Sequence, residues 1–102
     1  MNGVFGMRTL VISKSKKKEL MEQANGTTET FGKFGNSKRL IAILEKEGYL
    51  SSINQMNNRS YSCRMENVEC YYHHSSDKST VQVVLISLEP GTLNVLDFKI
   101  MN

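Results

Sequence analysis

The side chains best suited to bind a metal or to move a proton lie close together in the second half of the chain, at Cys63, Cys70, His73 and His74. Thiolate and neutral imidazole are both zinc ligands, but the spacing here is C-x6-C-x2-H-H, wider than the close cysteine pairs of zinc knuckles. Neighbouring residues of a strand also point to opposite faces, so at most one of the two histidines can join the cysteines. We therefore expect no metal and interpret the group as two strand cysteines and two exposed histidines.

The same histidines are the candidates for catalysis, because a metal-free ribonuclease needs a His, or a Lys and a Glu, beside a basic surface. His73 or His74 together with Lys78 would supply such a pair. However, no nucleophile elbow activates a Ser, Cys or His, and Gly32 and Gly35 lack the spacing of a phosphate-binding loop. The sequence predicts that the protein is not an enzyme and that it uses no cofactor and no small-molecule substrate.

Positive charge is concentrated in the first third of the chain. Residues 1–39 carry eight Lys and Arg against three Glu, a net charge of +5, whereas residues 40–102 carry five against seven acidic residues, a net charge of −2. A basic end on a near-neutral body indicates an anionic partner, and the alternative is a solvated basic surface without one. No apolar run is long enough for a transmembrane helix. Two cysteines are too few for a disulfide framework, which favours a reducing compartment.

The elements that must position these residues are organised around one helix. Asn36 or Ser37 can cap its start, and the apolar side chains that follow recur on one face. Gly48 is suited to the left-handed conformation that follows the end of a helix. Leu44 and Tyr49 would then make the hydrophobic contact of a Schellman motif. We expect the chain to continue from Tyr49 directly into an extended segment.

Weaker patterns predict the remaining elements. Ser15 is the expected cap of a first helix, Lys16–Ala24, while Met1–Ile12 fits either a helix or a strand. Thr80–Leu88 is apolar on both faces, which predicts a central strand covered on two sides. The sequence thus predicts one domain, residues 1–102, of the α+β class, with one or two N-terminal helices packed on an antiparallel or mixed sheet that ends in a C-terminal hairpin. The predicted strands and the turn before the last of them are Tyr49–Ile53, Arg59–Met65, Val68–His74, Thr80–Leu88, Glu89–Thr92 (turn) and Leu93–Ile100.

Two segments resemble a known family. Residues 37–50, a helix that ends in Leu-Glu-Lys-Glu-Gly-Tyr-Leu, and residues 81–100, a strand, a glycine turn and a returning strand, are similar to the N-terminal domain of the eighth protein of the small ribosomal subunit. The resemblance implies a structural ribosomal protein whose partners are ribosomal RNA and neighbouring small-subunit proteins. It implies a mitochondrial ribosome or, alternatively, the bacterial cytoplasm. The family's second domain, with its RNA-binding loop, has no counterpart here, and residues 54–79 contain an extra hairpin.

The charge pattern and this resemblance place the RNA-binding surface in the basic first third. Phe31 and Phe34 flank Lys33 and are the candidates for stacking on unpaired bases. The competing interpretation is that both belong to a short strand and pack in the core. The predicted contacts to phosphate are Lys14, Lys16, Lys17, Lys18, Lys33, Lys38 and Arg39.

Two other functions stay open. The same helix resembles the opening of HicA-type RNA-cleaving toxins, in which a Gly-Ser-His-His strand follows shortly after the helix. Here His73 and His74 come much later in the chain and without the Gly-Ser. The other alternative is a small non-catalytic interaction module, whose lysines would form only a solvated surface.

Overall fold

A computed structural model describes residues 8–26, 35–50, 60–65, 67–74 and 81–102 of the chain. These residues form two helices and a four-stranded sheet. The strands lie in the sheet in their sequence order, and each is antiparallel to its neighbour. The fold is therefore α+β and the last two strands form a hairpin, as the sequence predicted. Within the described ranges, neither helix is long and apolar enough to cross a membrane.

The boundaries of the elements follow the predicted pattern closely. The extra hairpin predicted within residues 54–79 is present as the first two strands. Its loop residue 66 and the flanking segments 51–59 and 75–80 lie outside the described residues. The elements are α1 (Lys14–Asn25), α2 (Gly35–Lys46), β1 (Ser60–Met65), β2 (Val68–His74), β3 (Val81–Leu88) and β4 (Val95–Met101).

Helix α1 begins two residues earlier than its predicted start at Lys16. Ser13, rather than Ser15, is the N-cap: its backbone is extended, and its Oγ accepts a hydrogen bond from the Lys16 N–H at 3.1 Å. Both serines have the hydroxyl group that a cap needs, but Ser13 is the one whose oxygen accepts from the N–H of the third helical residue. The helix contributes Leu20 and Ala24 to the core.

Helix α2 begins earlier than predicted, since Asn36 and Ser37, the expected caps, are its second and third residues. The helix ends as predicted. The Gly48 N–H donates to the Glu45 carbonyl at 3.1 Å, and the Tyr49 N–H donates to the Leu44 carbonyl at 2.8 Å. These are the two hydrogen bonds of a Schellman motif, and Gly48 has the left-handed φ of +87° that the motif requires. The strand predicted from Tyr49 does not begin there. Tyr49 and Leu50 form a bend against the helix end, and residues 51–53 lie outside the described residues.

The core lies between the helices and one face of the sheet. Both helices and strands β2 to β4 contribute to one buried cluster, which includes Leu40, Leu44, Val84, Ile86 and Phe98. Strand β3 is central, as predicted, because it pairs with both β2 and β4. In the described part of the chain, however, the helices cover only the face of β3 that carries Val84 and Ile86. On the other face Val83 is also buried, at 8% exposure. The prediction of a strand covered on two sides is thus confirmed for the first face and stays a prediction for the second.

The edge of β4 pairs with the start of the described chain. The Arg8 N–H donates to the Asn102 carbonyl at 2.8 Å, and the Leu10 N–H donates to the Ile100 carbonyl at 2.8 Å. Thr9 bridges to Met101 in the antiparallel sense. Residues 8–10 are thus extended, which decides between the helix and the strand that the sequence left open for them.

Replacing Gly48 by alanine is expected to destabilise the protein by about 1–2 kcal/mol, because an L-residue with a side chain resists the left-handed conformation. The space around the new Cβ is open, with no atom within 4 Å, so the cost comes from the backbone alone. Urea unfolding measures it. Gly48→Asn is the matched control and should cost less, because Asn tolerates this conformation. A Gly48→Ala protein as stable as the wild type would contradict the assigned helix end.

Candidate nucleic-acid interface

The two helices lie side by side and antiparallel, so they present one common outer surface. At one end, Lys16 Nζ on α1 lies 3.1 Å from Oε1 of Glu47, just beyond α2. At the other end, Arg39 Nη1 on α2 donates to the Ala24 carbonyl on α1 at 2.8 Å. The start of α1 is therefore next to the end of α2. The exposed basic residues of the two helices therefore belong to one helical layer, whereas Lys17 reaches β4 of the sheet.

Three of the predicted RNA-binding lysines, Lys14, Lys18 and Lys38, are exposed on the two helices. Lys46 is exposed as well, eight residues after Lys38 on α2. Within the described residues these four side chains make no ion pair. We call Lys14, Lys18, Lys38 and Lys46 the lysine quartet. The prediction from the sequence omitted Lys46, although its spacing of eight residues from Lys38 is visible there.

Lys16 is held by two carboxylates. Its Nζ lies 3.2 Å from Glu19 Oε1 and 3.1 Å from Glu47 Oε1. The hydrogen bonds to Glu47 and then to Glu19 raise the pKa of Lys16 above its ordinary value. Its charge is therefore largely balanced inside the protein. Lys16 joins the two helices, a role that the sequence prediction did not give it.

Lys17 connects α1 to the sheet. Its Nζ lies 2.8 Å from Asp97 Oδ1 and 5.1 Å from the centroid of the Phe98 ring, which is a cation–π distance. The hydrogen bond from Lys17 lowers the pKa of Asp97, and a further hydrogen bond from the Phe98 N–H acts in the same direction. Lys17 is thus engaged with β4 rather than directed at solvent.

Arg39 and Asn36 serve the packing between the helices and the last turn. Arg39 donates to the Ala24 carbonyl and, at 3.3 Å, to Asn36 Oδ1. Asn36 Nδ2 donates to Asn94 Oδ1 at 3.0 Å and to the Leu93 carbonyl at 3.3 Å. The guanidinium group of Arg39 therefore closes the end of α1.

The remaining predicted contacts, Phe31, Lys33 and Phe34, lie outside the described residues. The structure therefore divides the nine predicted site residues into three groups. Lys14, Lys18 and Lys38 are exposed, whereas Lys16, Lys17 and Arg39 have partners within the fold. The third group, the two phenylalanines and Lys33, stays a prediction.

A buried polar row lies between α2 and β2, on the other side of the helix. Ser37 Oγ donates to Glu69 Oε1 at 2.7 Å and lies 3.5 Å from the Tyr71 hydroxyl. Two residues further along β2, His73 Nε2 lies 3.9 Å from Glu45 Oε2, a distance that gives an ion pair only with a protonated ring. Ser37, Glu69 and His73 are each 1% exposed. These three side chains link α2 to the sheet and are shielded from solvent.

The burial of His73 corrects the expectation that both histidines are exposed. Glu69, Tyr71 and His73 alternate along β2 and so face α2, whereas Cys70 lies on the opposite face of the sheet. Cys70 and His73 therefore cannot bind the same metal ion. Among the described residues, no group of three potential ligands lies close enough to hold a metal.

Comparison with known proteins adds no relative: no family model, no curated protein and no solved structure matches this chain.

Proposed function

We propose that this protein is a non-catalytic RNA-binding protein that contacts phosphate groups through the outer surface of its two helices. The observation that carries the proposal is the lysine quartet, four exposed ammonium groups without an ion pair in the described part of the chain. The resemblance of residues 37–50 and 81–100 to a small-subunit ribosomal protein supports ribosomal RNA as the target. Neighbouring small-subunit proteins are then the protein partners, and a mitochondrial ribosome is the proposed location.

The arrangement of the quartet suits a phosphate backbone better than a single small anion. Lys14 and Lys18 are one turn apart on α1, and the antiparallel packing brings Lys46 to the same end of the surface. Lys38 lies at the other end, about 12 Å from Lys46 along the helix axis. Charges separated in this way contact successive phosphates and do not converge on one point. Such contacts give affinity and orientation but read no base sequence.

The burial of His73 favours this function over the toxin alternative. A catalytic histidine must reach the RNA within hydrogen-bond distance, whereas His73 is 1% exposed and packed under α2. The proposal therefore assigns His73 to the fold rather than to catalysis, and the experiment that follows tests His74 together with it.

The purified protein should bind small-subunit RNA, sediment with small ribosomal subunits at low salt, and leave the RNA intact after prolonged incubation. Gel analysis of the RNA and a sedimentation assay measure these outcomes. RNA cleavage that disappears in a folded His73→Ala, His74→Ala variant would overturn the proposal in favour of a ribonuclease. A protein that binds neither RNA nor subunits would favour the interaction module.

A further inference from the structure

The two cysteines of the chain face each other across the β1–β2 hairpin. The register of the two strands pairs Cys63 directly with Cys70, between the pairs Ser62 with Tyr71 and Arg64 with Glu69. In the structure, Cys70 is a free thiol and is half-buried. The cysteines are therefore neighbours through the sheet, although six residues separate them in the sequence.

The backbone distance at such a pair suits a disulfide bond. The Cα atoms of directly opposite residues in antiparallel strands are about 4.5–5.5 Å apart. Disulfide bonds span Cα separations of about 4.4–6.8 Å. The strands can therefore accept the bond with little movement of the backbone. The sequence has two cysteines, so an internal disulfide bond can join only Cys63 and Cys70.

The pair lies on the face of the sheet that points away from the helices. Glu69 and Tyr71 face α2, where Ser37 contacts both, so Cys70 faces the other way. Directly opposite residues share a face, and Cys63 belongs to the same side of the sheet as Cys70. The neighbour of Cys70 on β3 is Leu85, which is half-buried. Beyond Leu85 lies the exposed Lys99 of β4. Cys70 itself is half-buried, so its thiol is partly exposed to solvent.

We propose that Cys63 and Cys70 form a reversible disulfide bond that locks the β1–β2 hairpin under oxidising conditions. The oxidant is a low-molecular-weight disulfide of the glutathione class. The Cys70 thiolate attacks one sulfur of the oxidant, forms a mixed disulfide and releases one thiol. The Cys63 thiolate then attacks the Cys70 sulfur and displaces the second thiol. Two protein thiols lose two electrons and two protons, and one small disulfide becomes two small thiols.

The proposed bond limits the motion of β1, the edge strand of the sheet. Its formation does not depend on RNA binding by the helices. In the described residues, β1 contacts the rest of the sheet through β2 alone. A bond between the two strands closes a short loop and removes conformational freedom from the unfolded chain. We expect the oxidised protein to unfold at a Tm roughly 5–15 °C higher than the reduced protein.

The test exposes the full-length folded protein, at low concentration, to mixtures of oxidised and reduced glutathione. Alkylation after denaturation and mass spectrometry then count the free thiols. The expected product is a monomer that has lost two hydrogens and both free thiols, and it should form at least tenfold faster in the folded chain than in the same chain in 8 M urea. Dithiothreitol should restore both thiols and the lower Tm.

Two single variants complete the test. Cys63→Ser and Cys70→Ser each retain one thiol, and they should stop at a mixed disulfide with glutathione and show no rise in Tm. A wild-type protein that carries two glutathiones, or that forms disulfide-linked dimers instead of the internal bond, would overturn the proposal. Oxidation that is no faster in the folded chain than in urea would overturn it as well, because the sheet would then not hold the cysteines together.

Discussion

Leu44→Asp is expected to abolish the cooperative unfolding transition, leaving a chain without stable tertiary structure. Leu44 is 0% exposed and belongs to the cluster between α2 and the sheet. Burying an unpaired carboxylate there costs several kcal/mol, which is comparable to the whole stability of a small domain, about 5–15 kcal/mol. Circular dichroism during urea and thermal unfolding measures the effect. Leu44→Ala should give a graded loss of about 2–5 kcal/mol, because it leaves a cavity without a charge.

Ala42→Asp is the matched control for this prediction. Ala42 lies on the same helix but is exposed, so the same aspartate remains hydrated there. Its effect on stability should stay within about 1 kcal/mol, most of it the lower helix propensity of aspartate. A folded Leu44→Asp protein with the wild-type Tm would mean that α2 does not pack on the sheet through this face.

Much of the fold was predictable because several local signals agreed. The end of α2 has both a glycine suited to positive φ and a hydrophobic pair around it, so one stretch of sequence determined where the helix stops. The β3–β4 hairpin has a strongly apolar strand and a Pro90-Gly91 turn, and Gly91 has the expected positive φ of +88°. Leu93 also has a positive φ, of 62°, which nothing in its residue type indicates.

The candidate site was predictable only in part, because charge in a sequence does not show which partners the fold supplies. Lys16 meets Glu47 only after the two helices pack together, and Lys17 meets Asp97 only across the helix–sheet contact. Arg39 likewise finds the end of α1 through tertiary packing. The burial of His73 also depends on tertiary structure, because it requires α2 to lie over β2.

Replacing Lys14 and Lys18 together by glutamine is expected to lower RNA affinity roughly 10- to 25-fold in about 0.1 M salt. Each lost phosphate contact removes about 0.7 from the log–log salt slope, which is up to about fivefold in affinity at that salt concentration. The two side chains are exposed, so stability should not change measurably. Fluorescence anisotropy with several unrelated single-stranded RNAs measures the loss. It should be similar for all of them, because phosphate contacts carry no base information.

The Lys16→Gln, Lys17→Gln variant is the matched control, since it removes the same charge from the same helix. Both side chains already pair with carboxylates, so their loss should lower RNA affinity less than about threefold. It should instead lower stability slightly, because it removes ion pairs that lie at the surface. Equal losses of affinity in the two double variants would contradict the distinction between exposed and paired lysines. Equal losses would indicate that RNA affinity depends only on the total charge of the protein.

The salt dependence of RNA binding by the lysine quartet variant tests the proposed function most directly. In the wild type, three to four phosphate contacts should give a slope of roughly −2 to −3 in a plot of log affinity against log salt concentration. Replacing Lys14, Lys18, Lys38 and Lys46 by glutamine should bring this slope close to zero and lower the affinity on the order of 100-fold in about 0.1 M salt. A folded quartet variant that keeps the wild-type slope and affinity would show that RNA does not bind to the outer surface of the helices.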